Sequence, residues 1–233
     1  MNGLEAVKPG TAGSARAAAI EAAPGLAVAK LELWRGDYCV CVGLDAAAAP
    51  GQVLHLRGAN GAGKTSLIRV LAGLSLPESG ELRLWGEPAR GRMTAYRAAI
   101  CYVGHSDGIK RELTPEENLR LSACLVLDPS RRTPAEALER VGLAEHAGRP
   151  CAEMSAGQRR RTALARLLMS NAPVWLLDEP LVSLDRSGAG LVADLMHEHV
   201  AAGGIAVLAT HQPVDLTGID VVEVDLPQGG GSW

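Results

Sequence analysis

The chain has 233 residues, 47% of them hydrophobic, a formal net charge of −3 and no Phe. That length supports one large domain or two closely joined lobes around a substantial core. The charge balance gives no reason to expect a nucleic-acid partner, and no apolar run approaches the roughly 20 residues of a membrane-spanning helix.

Residues 1–24 lack a basic segment followed by an apolar one, so no secretory signal is expected there. They are small, Ala-rich and partly charged, which reads as a loosely ordered extension over 1–25. The expected compartment is the cytosol, with any membrane role exercised through a partner. Five cysteines (Cys39, Cys41, Cys101, Cys124, Cys151) are scattered and odd in number. They read as small buried hydrophobes in a reducing compartment. The alternative is a metal pair at Cys39 and Cys41, whose C-x-C spacing has no matching second pair.

Residues 53–57 form a short apolar run, followed by Gly58-Ala59-Asn60-Gly61-Ala62-Gly63-Lys64-Thr65-Ser66 and then Leu67, Ile68, Leu71 and Leu74 at helical spacing. Strand, glycine loop and helix are the context in which G-x-x-x-x-G-K-[ST] cradles phosphate. The glycines let successive backbone N–H groups converge on phosphate oxygens, and the helix adds its positive end. Lys64 is expected to reach the β- and γ-phosphates of a nucleotide, Thr65 to ligate Mg²⁺, and Ser66 to lie near the α-phosphate. Pro77 and Ser79-Gly80 are expected to end the helix, with a strand over 81–85.

Residues 99–103 read as a further buried strand, and the middle of the chain as helical. Thr114-Pro115-Glu116-Glu117, Thr133-Pro134-Ala135-Glu136 and Ser155-Ala156-Gly157-Gln158 each have the form of a capping box. The last opens a helix expected to run to about Met169. Its serine hydroxyl and glycine N–H offer an anion site. Arg159, Arg160 and Arg161 oppose the helix dipole in its first turn, a start that is useful opposite a polyanion. Residues 174–177 and 205–209 are apolar runs of the kind found in central parallel strands, with a helix between them over 188–200. Asp178 closes the first run, where a carboxylate can hold the Mg²⁺ shell across from Thr65. Glu179 is the natural general base for in-line attack of water on the γ-phosphate.

These motifs, in this order, resemble the nucleotide-binding subunits of ABC transporters from about Leu26 onward. The resemblance implies a P-loop NTPase of ABC type over 26–227: a RecA-like α/β core, an N-terminal antiparallel β subdomain and an inserted helical lobe at about 106–170, with a tail at 228–233. Met154-Ser155-Ala156-Gly157-Gln158 matches the family's L-S-G-G-Q signature with Ala156 in place of the first glycine. In the family that motif caps the ATP of a second subunit, so Ser155, Gly157 and Gln158 are expected to act in trans in a homodimer sandwiching two ATPs. Asp185 in Ser183-Leu184-Asp185 matches the D-loop, and His211 the switch histidine that contacts the γ-phosphate. His105 occupies the place of the usual metal-linked glutamine and joins Thr65 and Asp178 as a candidate Mg²⁺ contact. The adenine-stacking aromatic is Trp34 or Tyr38, Trp34 being preferred.

The stretch Gly104-His105-Ser106-Asp107-Gly108-Ile109-Lys110, continued by Leu113-Thr114-Pro115-Glu116-Glu117-Asn118-Leu119, is similar to the loop of the CcmA family of cytochrome c maturation ATPases, with Ser106 where glutamine is common. That resemblance implies an ATPase peripheral to the cytoplasmic face of a bacterial inner membrane. Its expected partners are a CcmB-like integral membrane subunit and a CcmC-like one, and its expected task is haem export or release of a haem-loaded chaperone. The alternative is the ATPase of an ABC transporter for another substrate. A ribosome- or DNA-acting ABC protein would carry paired domains or long coiled-coil insertions, and a P-loop kinase or GTPase would lack residues 155–158 and His211.

Overall fold

The structure, a computed structural model, describes residues 24–125 and 132–226. Most of the expected N-terminal extension, and all of the 228–233 tail, lie outside the described residues.

Strands β1 (Leu26–Arg35) and β2 (Tyr38–Ala48) form an antiparallel hairpin. Strand β4 (Ser79–Leu84) pairs with the other side of β1, and β5 (Glu87–Pro88) completes a four-stranded antiparallel sheet in the order β2-β1-β4-β5. A second sheet is parallel throughout: β6 (Ile100–Val103), β7 (Val174–Asp178), β8 (Ile205–Ala209), β3 (Gln52–Arg57) and β9 (Asp220–Asp225), in that spatial order. Every residue of β7 and β8 is buried, which explains why both read as unbroken apolar runs instead of alternating ones.

Alternate residues on those strands serve two different cores. Leu54, Leu56, Leu176 and Val207 pack with helix α1 (Lys64–Leu71) and the antiparallel sheet. Val53, Trp175, Leu177 and Leu208 face the opposite side. There they meet α3 (Pro115–Leu125), α4 (Pro134–Arg140), α5 (Ala156–Ala165) with its 3-10 continuation Arg166–Met169, and α6 (Arg186–Ala201). The helices between β6 and β7 therefore share their hydrophobic core with one face of the parallel sheet. Helix α2 (Met93–Ala98) lies under α1, where the Tyr96 hydroxyl donates to Leu71 O at 2.7 Å.

All three capping boxes form, with the threonine or serine hydroxyl accepting the third backbone N–H and the Glu or Gln carboxamide or carboxylate returning to the cap N–H. Two boundaries differ from expectation. Helix α1 stops at Leu71, before Pro77, because Gly73 turns left-handed (φ +67°) and leaves Leu74 54% exposed. Ser79 and Gly80 belong to β4, whose pairing with β1 overrides their turn preference. The cysteines are free thiols. Cys41 points its thiol at Leu31 O, and burial pushes Cys41 and Cys101 up to about 11. Among the described residues no three His, Cys, Asp or Glu side chains cluster to hold a metal, so the Cys39–Cys41 spacing gains no further ligands. No described helix is long and apolar enough to cross a membrane.

Candidate active site at the carboxyl edge of the parallel sheet

Register brings the chemistry together. Asp178 of β7 and Leu56 of β3 both lie level with Ala209 of β8, so the loops that follow these three neighbouring strands emerge at one edge. Those loops carry Gly58–Gly63, Glu179 and His211. Residues remote in the chain thus converge because parallel strands in one register present all their carboxyl ends to the same side.

The glycine loop wraps onto the N-terminus of α1. Gly63 is the cap residue in a left-handed conformation (φ +96°) with no side-chain cap, which leaves the first N–H groups of the helix free for an anion. A β-carbon at Gly63 would drive into Val40 of β2, so the loop's path depends on glycine for space as well as for conformation. Lys64 is 6% exposed, and its ammonium donates to Gly58 O (2.8 Å) and Ala59 O (3.2 Å). Ala62 is buried beneath the loop. Asn60, Gly61, Lys64, Thr65 and Ser66 line a cavity of about 250 Å³. Its remaining walls include Arg35, His105 and Glu179.

Asp178 is fully buried. One carboxylate oxygen accepts from the Thr65 hydroxyl at 3.1 Å, and the other, Oδ2, is buried with no partner. Burial raises its pKa, with the Thr65 hydrogen bond and His105 acting in the opposite direction. An orphaned, desolvated carboxylate oxygen beside a hydroxyl suits a hard divalent cation such as Mg²⁺, which takes oxygen ligands and is held by one or two protein groups plus phosphate. His105 is exposed on the cavity wall and offers nitrogen, a poorer match to that cation than a route to its water shell.

Glu179 is half-buried and has a left-handed backbone (φ +49°) that a residue with a β-carbon rarely adopts. Its N–H donates to Ala209 O at 2.7 Å. His211 Nδ1 lies 3.0 Å and 3.1 Å from the two carboxylate oxygens of Glu179. A carboxylate at the cavity wall, held by an imidazole, has the geometry of a general base with its orienting partner.

Ser155, Gly157 and Gln158 do not line this cavity. Ser155 caps α5 and is exposed, and the Gln158 amide approaches His146 Nε2 at 3.0 Å. Gly157 presses on the loop before α6: a β-carbon there would sit 2.8 Å from Ser183 O. Asp185 caps α6 through Gly188 N (2.8 Å), and that bond, with Ser187 and Arg161 also engaging the carboxylate, lowers its pKa.

The three arginines of α5 differ from the expected anion-facing cluster. Arg159 donates to Met154 O, Arg161 reaches Ser187 (2.6 Å) and Asp185 (3.3 Å), and Arg160 is buried under the Glu179 turn. Their donors go to the protein's own carbonyls and side chains, because α5 packs directly beneath the site. Two residues at the site were missed. Arg35 is on the cavity wall, while Trp34 turns its indole N–H to Glu32 at 2.9 Å and Tyr38 packs on the core. Arg160 shares its helical phase with Ala163, Leu164 and Leu167, a pattern that marks it as inward-facing.

A family profile described as ABC transporter matches residues 42–182. The chain is 46% identical over 191 residues to the "Cytochrome c biogenesis ATP-binding export protein CcmA" of Methylococcus capsulatus, covering 81% of this chain and 91% of the relative. It is 44% identical over 197 residues to the protein of the same name from Dechloromonas aromatica, covering 84% and 97%. A solved structure described as a putative ABC transporter ATP-binding protein from Pyrococcus furiosus superposes with a TM-score of 0.74 at 26% identity, covering 86% of this chain and 96% of that one. With the phosphate loop, Asp178 and Glu179 converging at one sheet edge and full-length relatives of this similarity, the chain belongs to the ABC transporter ATP-binding family, within its CcmA group.

Proposed function

We propose that the chain is the ATP-hydrolysing subunit of an export complex for cytochrome c biogenesis, and that the site described above is where ATP is cleaved. The observation that carries this reading is the meeting of Lys64, Asp178, Glu179 and His211 at one edge of the parallel sheet, from segments far apart in sequence.

The α1 N-terminus and the loop N–H groups bind the phosphates, and Lys64 exchanges its carbonyl partners for phosphate oxygens. Thr65 and the orphaned oxygen of Asp178 would hold Mg²⁺, which when bound neutralises charge on the phosphates. Glu179 takes a proton from the attacking water, and His211 holds the carboxylate while reaching toward the γ-phosphate. His105 acts by hydrogen bonding from the wall of the cavity. Ser155, Gly157 and Gln158 serve the ATP of a second copy, so the working unit is a homodimer with composite sites. This reading is supported by their absence from their own chain's cavity.

The complex is completed by a CcmB-like integral membrane subunit and a CcmC-like one at the cytoplasmic face of the inner membrane, and its ATP cycle drives haem export or release of a haem-loaded chaperone. Lys110 and Arg111 are exposed beside the His105 loop and suit an acidic cytoplasmic loop of that membrane subunit.

Lys64 contacts phosphate in ground and transition states alike, whereas Glu179 acts once water attacks. Lys64→Ala is therefore expected to weaken ATP binding and turnover together. Glu179→Gln is expected to keep ATP binding and lose at least about 100-fold in kcat. Nucleotide titration and steady-state phosphate release measure the two, and normal hydrolysis by Glu179→Gln would remove the base from Glu179.

A further inference from the structure

Arg160 is 1% exposed, and all five of its N–H donors are engaged. Nε donates to Pro180 O at 3.0 Å. One terminal nitrogen donates to Asp178 O (3.1 Å) and Glu179 O (2.8 Å). The other donates to Gly104 O at 2.7 Å and approaches Asp107 Oδ1 at 3.5 Å. Only one of the five acceptors is a side chain. A guanidinium buried in this way is held by three consecutive carbonyls around the left-handed Glu179 and by the residue just before His105.

We propose that Arg160 is a positioning residue for hydrolysis, the strut that ties the helix bearing Ser155 and Gly157 to the backbone that aims Glu179 and to the loop that carries His105. The inference rests on the reading of Glu179 as base. Its physical content is that three segments share one rigid fork. With φ at +49°, the backbone turns out of β7 at Glu179, whose carbonyl also accepts from Val182 N–H at 3.3 Å. The Ala209 carbonyl holds the N–H side, and Arg160 holds the carbonyls. Movement of α5 when Ser155 meets ATP on a second copy is thereby conveyed to the base of its own chain. A lysine cannot replace this strut, since a point ammonium with three donors spans neither the distance nor the fan of acceptors.

The test uses the full chain with Arg160→Lys. Expected is a fall in kcat of about 100-fold, the loss that follows a displacement of about 1 Å at a reacting group, while KM for ATP stays within about 2-fold. In a Glu179→Gln background the same change should cause no further loss, because both act through one carboxylate. Hydrogen exchange supplies a readout independent of turnover: the Glu179 amide and residues 104–108 should exchange faster in Arg160→Lys, with α1 unchanged. A raised KM at unchanged kcat would make Arg160 a nucleotide contact, and a loss additive with Glu179→Gln would separate it from the base; either overturns the strut. Unaltered exchange in both segments overturns it too. A wild-type chain without ATP turnover would defeat the functional reading instead, and exchange would still decide the strut. Should Arg160→Lys fail to fold, Asp107→Ala removes only the side-chain acceptor. It is expected to speed exchange at 104–108 and leave the Glu179 amide protected, and no change at 104–108 counts against the strut.

Discussion

Arg35 closes the nucleotide cavity on the side of β1, where an aromatic side chain was expected. A guanidinium plane can stack on a base and also meet phosphate or ribose oxygens, so it can do the work of an aromatic with added charge. Arg35→Ala is expected to weaken ATP binding by about 3- to 10-fold, a cation–π-sized loss, while Trp34→Ala, whose indole is turned to Glu32, stays near wild type. Fluorescent nucleotide titration of the two variants checks this, and the reverse ranking would return the adenine contact to Trp34. Asp178 makes a second prediction. The unfolded group titrates near 3.8 and burial raises the folded value. A raised carboxyl contributes stability that is complete below 3.8 and is lost as pH climbs through the folded value, so the ionised buried carboxylate is unfavourable at neutral pH. Asp178→Asn is expected to raise the melting temperature of the nucleotide-free chain at pH 7.5 by about 2–4 °C, equivalent to about 1 kcal/mol at this size. The gain should shrink toward pH 4, and ATP hydrolysis should be lost. Thermal melts across that pH range measure it; an unchanged or lowered melting temperature at pH 7.5 contradicts the account.

At the scale of the element, the start of α5 shows how local and tertiary causes combine. Its capping box is a four-residue matter, which is why Ser155 and Gln158 were legible from spacing alone. The arginine row was not. Three like charges opposing the helix dipole suggest an external anion, yet Arg159 turns back to Met154 O, and Arg160 and Arg161 find partners when α5 packs against residues 104–107 and 178–187. Gly157 likewise reads as a phosphate contact in sequence, while the fold adds a second reason for glycine. Its missing side chain admits the carbonyl of Ser183, itself left-handed at φ +67°. Gly157→Ala is expected to destabilise the isolated chain by about 1–3 kcal/mol, the cost of overpacking. Ala156→Gly, at an exposed position, should cost at most about 1 kcal/mol. Urea unfolding of both variants separates the packing role of Gly157 from its role toward nucleotide.

At the scale of the whole molecule, the phosphate-loop cavity and the Ser155 cap occupy separate surfaces of one chain. If each ATP is held by Lys64 of one copy and Ser155 of another, defects in the two are complementary. Mixing Ser155→Arg with Lys64→Ala leaves each heterodimer one site with both lesions and one with neither. About half of wild-type turnover per heterodimer is the expected recovery if the two sites fire independently. Phosphate release from tagged, co-purified heterodimers measures it, and inactivity in proven heterodimers would argue against composite sites or make both sites obligatory.

What the amino-acid order determined by itself was whatever depends on neighbours a few residues apart. The phosphate loop, the three capping boxes and the buried runs at β7 and β8 are written in local spacing, and they led to the parallel α/β core, while the antiparallel companion sheet was expected from the family resemblance. The end of α1 and the start of β4 escaped, since a left-handed Gly73 and pairing with β1 outweighed the apparent helical spacing of Leu74. Only the tertiary structure decided which oxygen of Asp178 is left without a partner, which residue of β1 faces the cavity, and which of three consecutive arginines is buried. Each of these depends on the direction a side chain takes once strands from distant parts of the chain lie in register. That direction follows from packing between elements, which spacing along a single element does not encode.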